Sequence, residues 1–177
     1  MTAYPDDLAT VVAHEPPLIA ALPDATAAAR AFEQVRKAYA DKGSGAGMAG
    51  FIHMTSWQGE FTDDYFAAPL PAPAAFGLPA DDDGSREDPL LSERSRPVGE
   101  YQPDVDALKG FGDRLRVAVG VESAGTFTDR TSRGLASLLG ADVVEFPSHH
   151  GGFAGPENGY PGQPEAFAER LREVLSD

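Results

Sequence analysis

Cysteine is absent from all 177 residues, which removes thiolate catalysis, Cys-ligated zinc and any disulfide framework. Basic residues are scarce as well, with 14 Lys and Arg against 28 Asp and Glu and a formal net charge of −14. Nucleic acids and anionic membrane surfaces are held by clustered Lys and Arg, so neither is an expected partner. The acidic excess serves solubility. No run of about 18 apolar residues occurs, which removes a helical membrane span. The opening MTAYPDDLATVVAHEPP lacks a basic segment followed by an apolar one, so it does not read as a signal peptide. A soluble, cytoplasmic chain is the expectation.

What remains is enough for a core, since 42% of residues are hydrophobic. Residues 9–15, ATVVAHE, form a short apolar run suited to a strand buried on both faces, and Pro16 and Pro17 stop it. Asp24 can cap a helix to about residue 40, with Ala28, Phe32, Val35 and Tyr39 on one side. Gly43, Gly45 and Gly47 loosen the chain before a helical piece in GMAGFIHMTSW. Residues 67–100 are rich in Pro, Gly and acidic side chains without a period, which predicts short turns and loops. From residue 113 the pattern turns regular. DRLRVAVGVE reads as a strand, and TFTDRTSRGLASLLG as a helix between Thr126 as N-cap and Gly140 as terminator. ADVVEFP is a further strand, and QPEAFAERLREVL a closing helix whose Phe167, Leu171, Val174 and Leu175 share one face. Strand and helix alternating through short connections predict an α/β fold: a parallel sheet of about three core strands with flanking helices.

Few residues can carry chemistry. HEPPL at 14–18 is not H-E-x-x-H and its prolines break the helix that motif needs, while DDDGSRED at 81–88 lacks calcium-loop spacing. No metal is expected. Ser123 in GVESAG sits between a strand and a helix, but a nucleophile elbow needs glycine two residues before the serine, where Val121 stands. Ser44 fails likewise, with Lys42 at that place. Asp129, one turn into its helix, reads as a solvated charge.

VVAHEPPL (11–18), YQPDVDAL (101–108), RVAVGVESAG (116–125), EFPSHHGGF (145–153) and PEAFAERLREVL (164–175) occur in the order found in the C-terminal half of α/β-hydrolases. Taken together they resemble that superfamily over nearly the whole chain. The resemblance implies a core portion from residues 1–18 and 108–177, and a mainly helical cap from residues 19–107 that includes segment 67–100. It implies hydrolysis of an ester or similar bond in a small apolar substrate by a Ser-His-acid mechanism, without metal or organic cofactor. His150, immediately before GGF, takes the place of the general base, with His149 a neighbour held by a backbone hydrogen bond or exposed to solvent. Glu122 is the first choice for the acid that orients His150, and Glu15 the alternative. His14, Trp57, Phe61 and Phe153 are expected to line the substrate pocket, although cap aromatics such as Phe61 can equally serve packing.

The resemblance also implies that G-x-S-x-G and five further strands precede residue 1, and residues 1–8 read as the end of the helix after that elbow. The alternative is a non-catalytic truncated chain or pseudoenzyme that serves association. Either way a sheet cut between strands exposes an edge. The expected partner is a second copy in a homodimer, or an N-terminal chain that pairs with that edge.

Overall fold

A computed structural model describes residues 4–176, so residues 1–3 of the opening segment lie outside it; Pro5–Asp7 form a single 3-10 turn. In chain order the elements are β1 (Val11–His14), α1 (Ala25–Lys42), α2 (Ser44–Ser56), α3 (Asp63–Ala67), α4 (Arg96–Gly99), α5 (Val105–Lys109), β2 (Leu115–Gly120), α6 (Phe127–Leu139), β3 (Val144–Phe146) and α7 (Pro164–Ser176). The fold is α/β. Its sheet has three parallel strands in the order β1-β2-β3, with His14 opposite Ala118 and Gly120 opposite Phe146. All three strands therefore end on the same side of the molecule.

Alternation along β2 sorts its side chains to two faces. Val117 packs with Leu135 and Ala136 of α6, whereas Ala118 belongs with Phe146 and with Phe167 and Val174 of α7. Helices thus cover both faces, and β2 is buried along nearly its whole length. This is the arrangement that lets a strand be apolar on both sides. Helix α6 starts and stops where the sequence predicts, with Thr126 extended at its N-cap and Gly140 left-handed at its C-terminus. The far edge of β1 has no strand beside it among the described residues, and its four residues are all half-buried. At the opposite edge, Arg170 of α7 donates to the Glu145 carbonyl.

Residues 19–110 build the insertion between β1 and β2. Ala28, Ala31, Val35 and Tyr39 of α1 are buried with Met54, Phe61 and Tyr65 in a cluster that Phe127 of α6 joins. The glycines after residue 43 do not loosen the chain as expected. Helix α2 already begins at Ser44, and a Cβ on Gly47 would stand 2.7 Å from the Tyr39 Cβ, so glycine is what lets α2 lie close against α1. Within residues 67–100 the regular pieces are short turns and the four-residue α4, as expected. Leu91 is buried there, and the Asp88 N–H donates to the Tyr39 hydroxyl.

Asp24 stands at the N-cap of α1, but its carboxylate does not cap the helix. One oxygen accepts from the Phe61 N–H at 2.7 Å and the other pairs with Arg130 of α6, whose guanidinium also donates to the Gly59 carbonyl. The Arg130 and Asp24 side chains are only 13% and 10% exposed, so removing one partner strands the other away from water. Asp24→Ala is expected to cost about 2–4 kcal/mol in urea unfolding and to loosen the insertion from α6.

Candidate functional site

The residues after the strand ends meet above the sheet edge, where open parallel sheets present their loops. Glu15 follows β1 and continues the ladder, its N–H donating to the Ala118 carbonyl at 2.9 Å. Its φ of +47° is left-handed, a conformation a non-glycine residue adopts at a cost of about 1–3 kcal/mol. That turn carries the carboxylate back over the end of β2, where the residue is wholly buried. Oε1 accepts from the Gly120 N–H at 2.8 Å; Oε2 accepts from the Thr128 hydroxyl at 2.5 Å and faces His150 Nδ1 at 3.1 Å.

Burial alone pushes the Glu15 carboxyl up. Hydrogen bonds from His150, Ser123, Thr128 and the Gly120 N–H outweigh it and bring the group down to about 2. An ionised Glu15 can only accept, so Nδ1 of His150 is the donor in this contact, and in a neutral imidazole the lone pair is then at Nε2. Nε2 has no hydrogen-bond partner among the described residues, and the His150 side chain is 60% exposed. One edge of the imidazole is thus held on a buried anion while the side chain as a whole stays open to solvent.

The loop that delivers His150 is braced at each step. Ser148 is left-handed at φ +69°, and its carbonyl accepts from the Glu122 N–H at 2.9 Å. His149 is buried and works within the backbone: Nδ1 accepts from the Gly151 N–H at 3.0 Å, and Nε2 lies 3.3 Å from the Pro161 carbonyl, to which it donates. Tyr160 stacks on its ring at 4.1 Å. Gly120 gives this loop its clearance, because a Cβ there would stand 2.5 Å from the Ser148 oxygen and 2.9 Å from the His149 Cα.

The geometry reverses the order that the sequence gives the two glutamates. Glu15 is the carboxylate at His150. Glu122 is exposed and braces the loop, accepting from Gln163 at 3.1 Å and from the Ser148 hydroxyl at 3.4 Å. The four expected pocket residues divide into two groups. His14 packs edge-on against Phe146 and Phe167, and the exposed Phe153 also meets Phe167. Trp57 and Phe61 instead pack on Tyr65 in the insertion. A cavity of ≈ 170 Å³ lies over Ile19, Phe32 and Arg36, and none of the four lines it.

Ser123 is buried and its hydroxyl engages Glu15, on the acid's side of the imidazole. Asp129 is not a solvated charge: it is 4% exposed, accepts from the Gly125 N–H and pairs with Arg133. Thr128 and Gly120 also hold the Glu15 carboxylate, and neither was expected from the sequence. Thr128 lies 113 positions from the carboxylate it contacts, with no local signal. Gly120, a glycine closing an apolar strand, is a signal for close backbone approach.

Among the described residues no cluster of three or more His, Asp or Glu is placed to hold a metal ion, and no helix is long and apolar enough to cross a membrane. Comparison with protein-family models, curated proteins and solved structures gives no match for this chain.

Two outcomes follow from this geometry. Gly120→Ala is expected to lower stability by about 2–3 kcal/mol in urea unfolding, because the backbone of the histidine loop has to move. The Glu15 carboxyl lies below its ordinary value of 4.5, so its contribution is complete above that pH and lost as pH falls towards about 2. Thermal unfolding across this window should show a steep acid limb in the parent chain and a shallower one in Glu15→Gln.

Proposed function

We propose that Glu15 and His150 are the acid and base of an α/β-hydrolase mechanism that opens an ester or similar bond in a small apolar substrate. The observation that carries the reading is the polarity of the imidazole. Nδ1 faces a buried ionised carboxylate, and Nε2 has no partner among the described residues on a side chain that is 60% exposed, the orientation a general base needs to take a proton from a hydroxyl. Further support comes from the parallel strands, whose ends gather the acid and base on one side of the sheet. His150 takes the proton as the hydroxyl attacks the carbonyl, returns it to the leaving group, and repeats the cycle with water on the acyl intermediate. Glu15 holds the ring and offsets the imidazolium charge in both halves.

No G-x-S-x-G occurs in the 177 residues, so the hydroxyl is to be supplied by another polypeptide segment. In this proposal the segment adds a strand to the open edge of β1, whose end carries Glu15. The unpaired edge equally favours a second reading, in which the chain associates through β1, with a second copy or an N-terminal chain, and catalyses nothing.

The test uses a chromogenic short-chain ester and a fluorophosphonate serine probe. The chain alone, shown folded by circular dichroism, is expected to give neither turnover nor labelling. Joined to a hydrolase N-terminal half that carries the serine, it is expected to gain both. His150→Ala or Glu15→Gln should then cut turnover by about 100-fold or more. Labelling of Ser123, or turnover indifferent to His150→Ala, would overturn the mechanism. Light scattering decides the edge: a monodisperse monomer at high concentration counts against pairing through β1.

A further inference from the structure

Two donors share one oxygen of Glu15. The Thr128 hydroxyl reaches Oε2 at 2.5 Å, and His150 Nδ1 lies 3.1 Å from the same atom. Hydrogen bonds to a carboxylate run to about 2.5–2.7 Å from O–H and about 2.7–2.9 Å from N–H. The Thr128 contact is thus at the short end of its range, and the His150 contact is longer than its own. Thr128 also holds its place without help from the histidine loop. Thr131 and Ser132, one turn further on, return their hydroxyls to the Thr128 carbonyl at 3.0 and 2.8 Å, the local bonds usual for hydroxyls within a helix. Thr128 instead sends its hydroxyl to a residue 113 positions away. The Thr131 hydroxyl donates to the Pro16 carbonyl at 2.7 Å as well, so one turn of α6 grips two consecutive residues after β1. Below that turn, the Asp129 carboxylate accepts from the Gly125 N–H.

We infer that Thr128 is a positioning residue that limits how tightly Glu15 holds His150: its hydroxyl pins Oε2 from α6 and leaves the imidazole the weaker share of that oxygen. This rests on the acid–base reading of Glu15 and His150. The charge of an acceptor is divided among its donors, so a close hydroxyl weakens what the same oxygen offers to the ring. That division matters because a general base has to return the proton it takes. An acid that gave Oε2 wholly to His150 would stabilise the imidazolium further and slow that return. It would also be free to follow the ring as the charge develops, whereas an oxygen pinned from α6 keeps the ring at one place through both halves of the cycle. The remaining donors do not substitute for Thr128 here. The Gly120 N–H is on Oε1, and Ser123 belongs to the turn after β2 and not to α6.

The test is NMR of the imidazole nitrogens and their protons in the ¹⁵N-labelled full chain, at a pH where the rings are neutral, with His150→Gln to assign the signal. In the parent chain His150 should carry its proton on Nδ1. Thr128→Val removes the hydroxyl and keeps the branched shape. Its Nδ1 proton should move downfield and exchange with water about three- to tenfold more slowly, because Oε2 now serves the ring alone. Thr128→Ser keeps a hydroxyl and should match the parent. Thr128→Cys, whose thiol is a weak donor, replaces the valine variant if that one does not fold, and should move the signal the same way by less. A hydroxyl that only braces the fold gives a different result: a lower melting temperature with the Nδ1 proton unmoved or exchanging faster. Either behaviour overturns the role of Thr128, and so does a serine variant that behaves like valine. Glu15→Gln separates the two levels. If it leaves the Nδ1 signal untouched, the acid–base reading fails and the role of Thr128 with it. If it abolishes the signal while Thr128→Val leaves it unmoved, only the role of Thr128 fails.

Discussion

A carboxylate with no exposed surface is the constraint around which the site is organised. Burying an ionised group is costly unless it is fully hydrogen-bonded. Glu15 meets that condition with donors drawn from three stretches of chain: the Gly120 N–H that ends β2, the Thr128 hydroxyl in the first turn of α6, and His150 in the loop after β3. Each donor depends on the position of a different element. The charge is therefore stable only when the sheet, α6 and the histidine loop are assembled together, and the same assembly sets the direction of the His150 ring.

The surrounding features are consequences of bringing backbone and side chain so close. Gly120 lacks a side chain because the Ser148 carbonyl and the His149 backbone cross directly above it. Glu15 and Ser148 are both left-handed, one turning the carboxylate inward and the other turning the loop over the strand end. Backbone strain of this kind is tolerated where surrounding contacts over-determine the conformation, and such sites concentrate near chemistry. The insertion is anchored to the same end of α6, through Asp24 and Arg130 and through the Gly59 N–H on the Gly125 carbonyl. Motion of the insertion would thus be felt two residues from Thr128. In the proposed hydrolase, substrate access and the acid's environment would be mechanically linked.

Much of the fold was legible because its signals are local. Helix α6 is framed by Thr126 and Gly140, and α7 by its apolar face of Phe167, Leu171 and Val174, so both fell where they were expected, although Leu175, expected on that face, is exposed. The apolar runs gave the strands, and their alternation with helices gave parallel pairing. The glycines before α2 were misread, since a glycine that loosens a chain and one that permits close helix packing look alike in sequence. Asp129 was misread for a similar reason. An acid in the first turn of a helix reads as solvated until the loop beneath it is seen to fold over it.

The sequence by itself determined the α/β layering and the parallel sheet, which follow from periodicity and end signals that act over a few positions. His150, Glu15 and Glu122 became candidates only through the resemblance to α/β-hydrolases. Only the tertiary structure decided which carboxylate reaches the imidazole, and that Trp57 and Phe61 belong to a different cluster from Phe153. Glu15 and His150 are 135 positions apart, and their meeting depends on strand register, a left-handed turn and the missing side chain of Gly120. None of these is a property of the residues near either partner. Glu122, twenty-eight positions from His150 and at the end of the central strand, is nearer along the chain, yet its side chain turns to Gln163 and Ser148 and leaves the buried place to Glu15.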